Sequence, residues 1–470
     1  MNWSAFLVGM LPEHILLAGL LLLIVHAIVS DRPQGAAAIA LVMVAGAALA
    51  ALWLALGGHA SEPFPGQVVV SPATSWGKAV AIALALPVLL LAQDDLGDGG
   101  PLYPLVLSSL YGLALMLSSA SFLTLFLGLE LLSLPVYVLV LMGLKREATP
   151  EAALKYIVLG GAATATFLMG VSLLYGQSGS LALDVFAQAM GSGRSLAVGG
   201  TALVLLAFFL KAAVVPFHAW APDAYEGASL PITAFMAAVV KAGVLLAAVR
   251  LVGAAPLSPA VAGLLAALPL VSIAWGNLAA MRQGSLRRMI AYSSIAHAGY
   301  LYLAFLAPGP ARQGVVLFYL LAYGLMTVLA FAVVPAGADD RQRDQLDQLK
   351  GLFHRQPLAA IVLGLAMLSL AGIPPLPGFV AKFAVFREVM AAGHTTVAVA
   401  GLLGSYLGLY FYLRVIQFAF MSPAPATAGA AGAPAAPATT MRGAALAATV
   451  LCGLPALALA IGPGWLLARL

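Results

Sequence analysis

The sequence predicts an all-α, polytopic membrane protein of about fourteen transmembrane helices, and three observations lead there. Of its 470 residues, 63% are hydrophobic and 8% charged, with a mean hydropathy of +1.03; a soluble domain carries roughly a quarter charged residues. Apolar runs long enough to cross a ~30 Å hydrocarbon core as helices recur along nearly the whole chain. Polar or Gly/Pro-rich punctuation separates them, as in "SDRPQG", "GGHASEPFPGQ", "DDLGDGG", "KREATPEAA", "GQSGS", "RQGSLRR" and "GADDRQRDQLDQLK".

In chain order the runs centre near residues 22, 46, 86, 110, 132, 164, 207, 241, 268, 298, 323, 372, 408 and 455. The first run, about residues 15–29, is preceded by Glu13 and His14 and by no basic region, so it reads as a retained span and not a cleaved signal peptide. Residues 1–100 hold spans one to three. Residues 101–255 and 256–421 each hold five more, and residues 422–440 form an Ala/Pro-rich linker that sets the last span, in 441–470, apart from the body. Basic residues follow span five (Lys145, Arg146), span nine (Arg282, Arg287, Arg288) and span eleven (Arg341, Arg343, Lys350). All three loops follow odd-numbered spans, so they share one side, which the positive-inside rule makes cytoplasmic, leaving both termini periplasmic.

The composition also excludes functions. A net charge of +5 spread over loops implies no nucleic-acid partner. The single cysteine, Cys452, rules out an internal disulfide and a cysteine metal site, and there is no nucleotide loop or haem motif. What remains is charge inside the spans: Glu130 in "LFLGLELLSLPVYVL", Lys211 in "FFLKAAVVPFHAW", Lys241 in "ITAFMAAVVKAGVLLAAVRL" and Lys382 in "PPLPGFVAKFAVF". Each central charge costs at least ~2.5–3 kcal/mol on insertion scales. One buried acid–base pair could simply pin two helices together. Three lysines against one acid cannot all be neutralised that way, so some must lose their proton part of the time or reach water. Desolvation favours the neutral form of an ammonium group, which is what a proton carrier near neutral pH needs.

Pro216, five residues after Lys211, cannot donate to the carbonyl of Ala212, and the "GIPPLPG" run at 372–378 interrupts the chain before Lys382 in the same way. Irregular backbone at this depth survives where protein or water satisfies it, and discontinuous helices mark ion paths in transporters. Lys211 precedes its proline by five residues and Lys382 follows Pro377 by five. That mirroring, on spans of opposite direction, predicts two inverted five-helix repeats, each with a broken helix.

Three weaker candidates extend the path. Ser293, His297 and Tyr300 fall on one helical face, where His297 is either a hydrogen-bonded core histidine or a proton relay. His218 follows the first break near the cytoplasmic boundary and reads equally well as an interfacial histidine. Lys155 lies four residues after Glu151 in "TPEAALKY", where a snorkelling lysine is the plainer reading.

Taken together, "LELLSLPVYVL", "ALKYIVLGG", "FFLKAAVVPFHAWAPDAYEGASLPITAFMAAVVKAG", "RRMIAYSSIAHAGY" and "GIPPLPGFVAKFAVF" resemble the antiporter-like membrane subunits of NADH–quinone oxidoreductase, respiratory complex I. The "PDAYEGA" run looks like the subunit N branch of that family. The resemblance implies a hetero-oligomeric, proton-translocating enzyme of the inner membrane, with Glu130, Lys211, Lys241 and Lys382 at the family's charged positions and a looser match at Lys155 and His297. It also implies that FMN, the iron–sulfur clusters and the quinone belong to partner subunits, with no cofactor on this chain. In that reading Glu130 holds Lys211 protonated, the proton passes to Lys241 when the pairing weakens, and it leaves through Lys382 toward the periplasm. A cation/proton antiporter subunit would use the same helices, and a purely structural spacer would have no use for three buried lysines.

Overall fold

The structure, a computed structural model, describes all residues except 1–2, 31–33, 97–100, 143–147, 193, 254–256, 308, 310, 335–343, 424–440, 442 and 470. The described residues are helical apart from turns and one antiparallel hairpin, Ser61–Phe64 with Val68–Val70, which joins the second and third spans. Among the described residues eleven helices are long and apolar enough to cross a membrane. Three shorter apolar helices, Leu102–Leu117, Ser195–Lys211 and Pro357–Ala371, occupy the places of further expected spans. Two of these are short because they are first halves of broken helices. Ser195–Lys211 resumes as Trp220–Gly227, and Pro357–Ala371 resumes as Pro377–Ala391.

Local chemistry explains the ends. Ser71 and Thr74 form a reciprocal capping box, and Ser121, Ser258 and Ser285 each accept a backbone N–H at a helix start. Pro357–Ala371 stops at Gly372, whose left-handed φ of 88° a side chain rarely adopts. Leu102–Leu117 and Phe122–Leu141 touch nearly backbone to backbone. A Cβ on Gly112 would lie 2.4 Å from the Leu132 nitrogen, so packing there requires glycine.

Lys241 lies at the centre of the fold. Its helix, Leu230–Val252, is wholly buried, and Leu286–Leu306 and Arg312–Ala332 beside it nearly so. The same helix carries one wide π turn, Met236–Val240, immediately before Lys241. Around this centre stand helices whose outward faces are apolar, such as Leu21, Ile28, Val42 and Leu403, as lipid contact requires.

Two expectations need correction. The last span is not set apart: Gly443–Ile461 packs on Ala311–Ala332 and Ala85–Leu96, burying Ala448, Cys452 and Ala456. Residues 424–440 of the linker lie outside the described residues. Among the basic loop residues, Arg287 is not a solvated loop charge but a fully buried side chain in the first turn of Leu286–Leu303, paired with Asp344 at 2.8 Å. Burial raises the Asp344 carboxyl, but hydrogen bonds from Arg287 outweigh it and hold the group below its ordinary value. Lys145, Arg146, Arg341 and Arg343 lie outside the described residues.

The loops nevertheless converge. The Leu286 N–H donates to the Asp344 carbonyl and the Leu346 N–H to that of Gly284, both at 2.8 Å, tying the loop after span nine to the one after span eleven.

Candidate functional site

Glu130, Ser133 and Tyr137 fall at i, i+3 and i+7 on Phe122–Leu141 and so share one face. All three receive the Lys211 ammonium: Glu130 Oε1 at 3.2 Å, Ser133 Oγ at 3.1 Å and the Tyr137 hydroxyl at 3.3 Å. The Thr164 hydroxyl, from the next helix, donates to the same carboxylate oxygen at 2.5 Å. Lys211 is the last residue of its helix, where the aligned carbonyls favour a cation.

The helix ends at Lys211 for reasons besides Pro216. Ala213 takes a left-handed φ of 61°, the Trp220 indole N–H donates to the Leu210 carbonyl at 2.9 Å, and the Val215 N–H donates to Ser272 Oγ at 2.9 Å. The break is therefore held by Ala213, Trp220 and Ser272 as well as by the proline on which the sequence reading relied. Both breaks carry a cis proline bond, Val215–Pro216 and Pro374–Pro375.

Lys241 is 6% exposed, and its ammonium donates to the Ser294 carbonyl at 2.6 Å and to the Ser294 hydroxyl. The Tyr323 ring lies 5.8 Å from its nitrogen. Lys382, 7% exposed, donates to the Ala371 carbonyl at 3.1 Å and to Ser405 Oγ at 3.0 Å, over the Tyr300 ring. Ala371 ends the first half of the second broken helix, so Lys382 reaches from the second half to the carbonyl end of the first. Both ammonium groups are thus held by neutral oxygens.

His297 sits between them. Its ring nitrogens meet the Tyr319 hydroxyl at 2.8 Å and the Tyr412 hydroxyl at 3.2 Å, and its ring packs against Tyr323 and Tyr300. Tyr412 also meets Ser293 at 2.5 Å, so the face of Ser293, His297 and Tyr300 expected from spacing is one connected polar strip.

Lys211 does not hydrogen-bond Lys241; aromatic side chains pack between their surroundings. Tyr137 packs edge-on against Tyr156 with centroids 4.6 Å apart. Tyr156 stacks on Trp220, which shares the helix Trp220–Gly227 with Tyr225, and the Tyr225 hydroxyl is 3.3 Å from Ser294 Oγ, a partner of Lys241.

Two candidates lie elsewhere. Lys155 is 43% exposed and pairs with Glu151 at 2.7 Å and Asp223 at 2.6 Å. Asp223 in turn pairs with Arg288, which also holds Glu226. Lys155 therefore belongs to an ionic cluster at the helix ends and not to the buried strip. His218 accepts from the Trp275 indole at 2.9 Å in a half-exposed position beside the first break and makes no contact with Lys211.

The sequence reading missed Tyr137, Tyr156, Tyr225 and Tyr412. It also missed Lys78, fully buried and paired with Glu13 at 2.5 Å, a second acid–lysine pair within the helices. Among the described residues no group of three metal-ligating side chains occurs.

Comparison with known proteins places the fold and the family. Residues 119–408 match the family model described as NADH:quinone oxidoreductase/Mrp antiporter, transmembrane. NADH-quinone oxidoreductase subunit N of Pelobacter propionicus is 40% identical over 423 residues, covering 89% of this chain and 90% of that protein. A chain of the respiratory complex I structure from Thermus thermophilus superposes with a TM-score of 0.82 at 35% identity, over 97% of this chain and 98% of that one. A chain of the Mrp complex from Dietzia sp. has a TM-score of 0.85 at 24% identity, over 100% of this chain and 96% of that one, a likeness of fold.

Proposed function

The chain belongs to the subunit N family of NADH-quinone oxidoreductases, and we propose that within that enzyme it moves protons across the bacterial inner membrane through the buried strip described above. The redox groups, FMN, iron–sulfur clusters and quinone, are assigned to partner subunits, and the chain answers their turnover electrostatically. Glu130 keeps Lys211 charged. When a charge change from a neighbouring subunit weakens that pairing, Lys211 releases its proton toward Lys241 past Tyr137, Tyr156, Tyr225 and Ser294, with water bridging the hydroxyls that do not meet. A hydroxyl can accept on its oxygen while donating its own proton onward. From Lys241 the proton crosses the His297, Tyr412 and Tyr300 strip to Lys382 and leaves on the periplasmic side. The Lys155–Asp223–Arg288 cluster stands at the entry, on the cytoplasmic side, and both termini face the periplasm. The two series of five helices, with a broken helix fourth in each, act as inverted repeats around Lys241.

The observation that carries this reading is that Lys241 and Lys382 are buried with neutral acceptors only, and a protonatable histidine lies between them. A structural role would call for carboxylate partners. Lys241→Met is expected to leave assembly intact and to depress NADH-driven pumping, and Lys241→Arg is expected not to restore it, because arginine keeps its proton. Full pumping by the methionine variant in reconstituted vesicles removes Lys241 from the path. Co-purification with flavin- and cluster-bearing chains separates this function from that of a cation/proton antiporter subunit.

A further inference from the structure

The Glu13–Lys78 pair lies in the helices that precede the family-matched region, 119–408. Glu13 is in the first turn of Leu11–Val29 and Lys78 in Pro72–Ala83. The Lys78 Nζ is 2.5 Å from Glu13 Oε1, with side-chain exposures of 0% and 1%. The other carboxylate oxygen, Oε2, is buried without a hydrogen-bond partner among the described residues. A half-satisfied buried ion pair is a poor stabilising device, since a well-packed apolar pair is often as stable. A buried oxygen with no donor is a place for a proton or a water.

The helix of Lys78 packs against Lys241–Val252, which brings Arg250 to the same side. Leu102–Leu117 contributes Tyr111, which feels Glu13 electrostatically. Gln34–Leu56 contributes no titratable side chain, and His14 on the same helix is turned to the Phe6 carbonyl at 3.1 Å. One turn before Lys78, on the same face, Thr74 lines a cavity of about 150 Å³ with Ser71, Arg250 and Gln313. That is room for several waters.

We propose that Glu13–Lys78 is a second, proton-exchanging pair. Glu13 Oε2 takes a proton from a hydronium ion supplied from the cavity one helical turn away, which neither side chain lines, an O–H bond forms and water is returned, while Lys78 keeps its own protons and goes on donating a hydrogen bond to Oε1; the reverse step releases the proton. The pair thereby changes its net charge by one, as a switch in the N-terminal helices. This rests on the chain moving protons, but its failure leaves the Glu130–Lys211 and Lys241 tests untouched, because those are read at other residues.

The test uses the assembled enzyme in membranes, comparing the parent with Glu13→Gln/Lys78→Met, which removes both charges, and with Glu13→Asp. A structural pair predicts that the double variant assembles and pumps normally. A proton-exchanging pair predicts normal assembly with severalfold fewer protons pumped per NADH oxidised. It also predicts that turnover-induced infrared difference spectra lose a D₂O-sensitive carboxyl C=O band. Unchanged pumping or an unchanged carboxyl band in the double variant overturns the proposal. If the double variant fails to assemble, Glu13→Asp decides: a shifted carboxyl band supports the exchange, and a spectrum identical to the parent's overturns it.

Discussion

Removing either partner of the Glu130–Lys211 pair should remove most of what the other does. Over their 3.2 Å contact, two unit charges at an effective dielectric near 20 attract by about 5 kcal/mol. Desolvation offsets much of that while the pair is intact, but deleting one member of a buried pair costs about 3–5 kcal/mol. The pair is part-buried, with side-chain exposures of 5% for Lys211 and 19% for Glu130, so the lower end of that range applies. Glu130→Gln keeps the shape and the Thr164 contact but leaves Lys211 with the neutral acceptors Ser133 and Tyr137. At about 1.4 kcal/mol per factor of ten, even the lower figure is about a hundredfold in the charged, paired state. Glu130→Gln and Lys211→Met should therefore each abolish most activity, and Glu130→Asp should retain part with the contact lengthened by one methylene. The double variant should be no worse than the poorer single one, because groups that act as a unit are non-additive. Proton pumping and NADH-driven quinone reduction are measured in membranes at matched assembly. Losses that multiply would show two independent residues and refute the switch.

A Cβ on Gly160 would lie 2.0 Å from the Tyr137 hydroxyl, so Gly160→Ala should push that phenol off Lys211 and lower pumping as Tyr137→Phe does, with assembly preserved. Normal pumping by both variants excludes Tyr137 from the path. Asp344→Asn leaves the fully buried Arg287 uncompensated and should cost about 3–5 kcal/mol of stability, read as a lower melting temperature of the purified complex. Because the Asp344 carboxyl is held below its ordinary value, the parent's pair contributes fully above the unfolded value of about 3.9 and is lost as pH falls through the lower folded one. The destabilisation by Asn should thus be constant from neutral pH down to about 5, and a difference that shrinks across that range contradicts the assignment.

What the sequence disclosed and what it hid follow from how each contact is built. Glu130, Lys211, Lys241 and Lys382 stand out because a charge inside an apolar run is conspicuous by itself, and Ser293, His297 and Tyr300 because they share one helix face. The stripe of Glu130, Ser133 and Tyr137 was equally local and could have been read; it was passed over because serine and tyrosine are unremarkable in a membrane helix. Lys78 was passed over because the window centred near 86 averages a lysine close to the helix start into a strongly apolar run. Tyr156, Tyr225 and Tyr412 could not be found in this way. They sit on three different helices, and their role exists only where those helices pack.

The same distinction explains the first break. Proline is visible in any sequence, so the interruption was credited to Pro216, whereas the left-handed Ala213 and the donation from Val215 to Ser272, 57 residues away, are tertiary. Ala213 is an ordinary alanine that the surrounding packing holds at a φ it seldom takes, and strain of that kind persists only where the structure over-determines it. The irregular backbone at Lys211 is therefore a product of the packed fold. For the same reason the bonds made by Trp220 and Ser272, together with Pro216, position the end of the helix that carries Lys211.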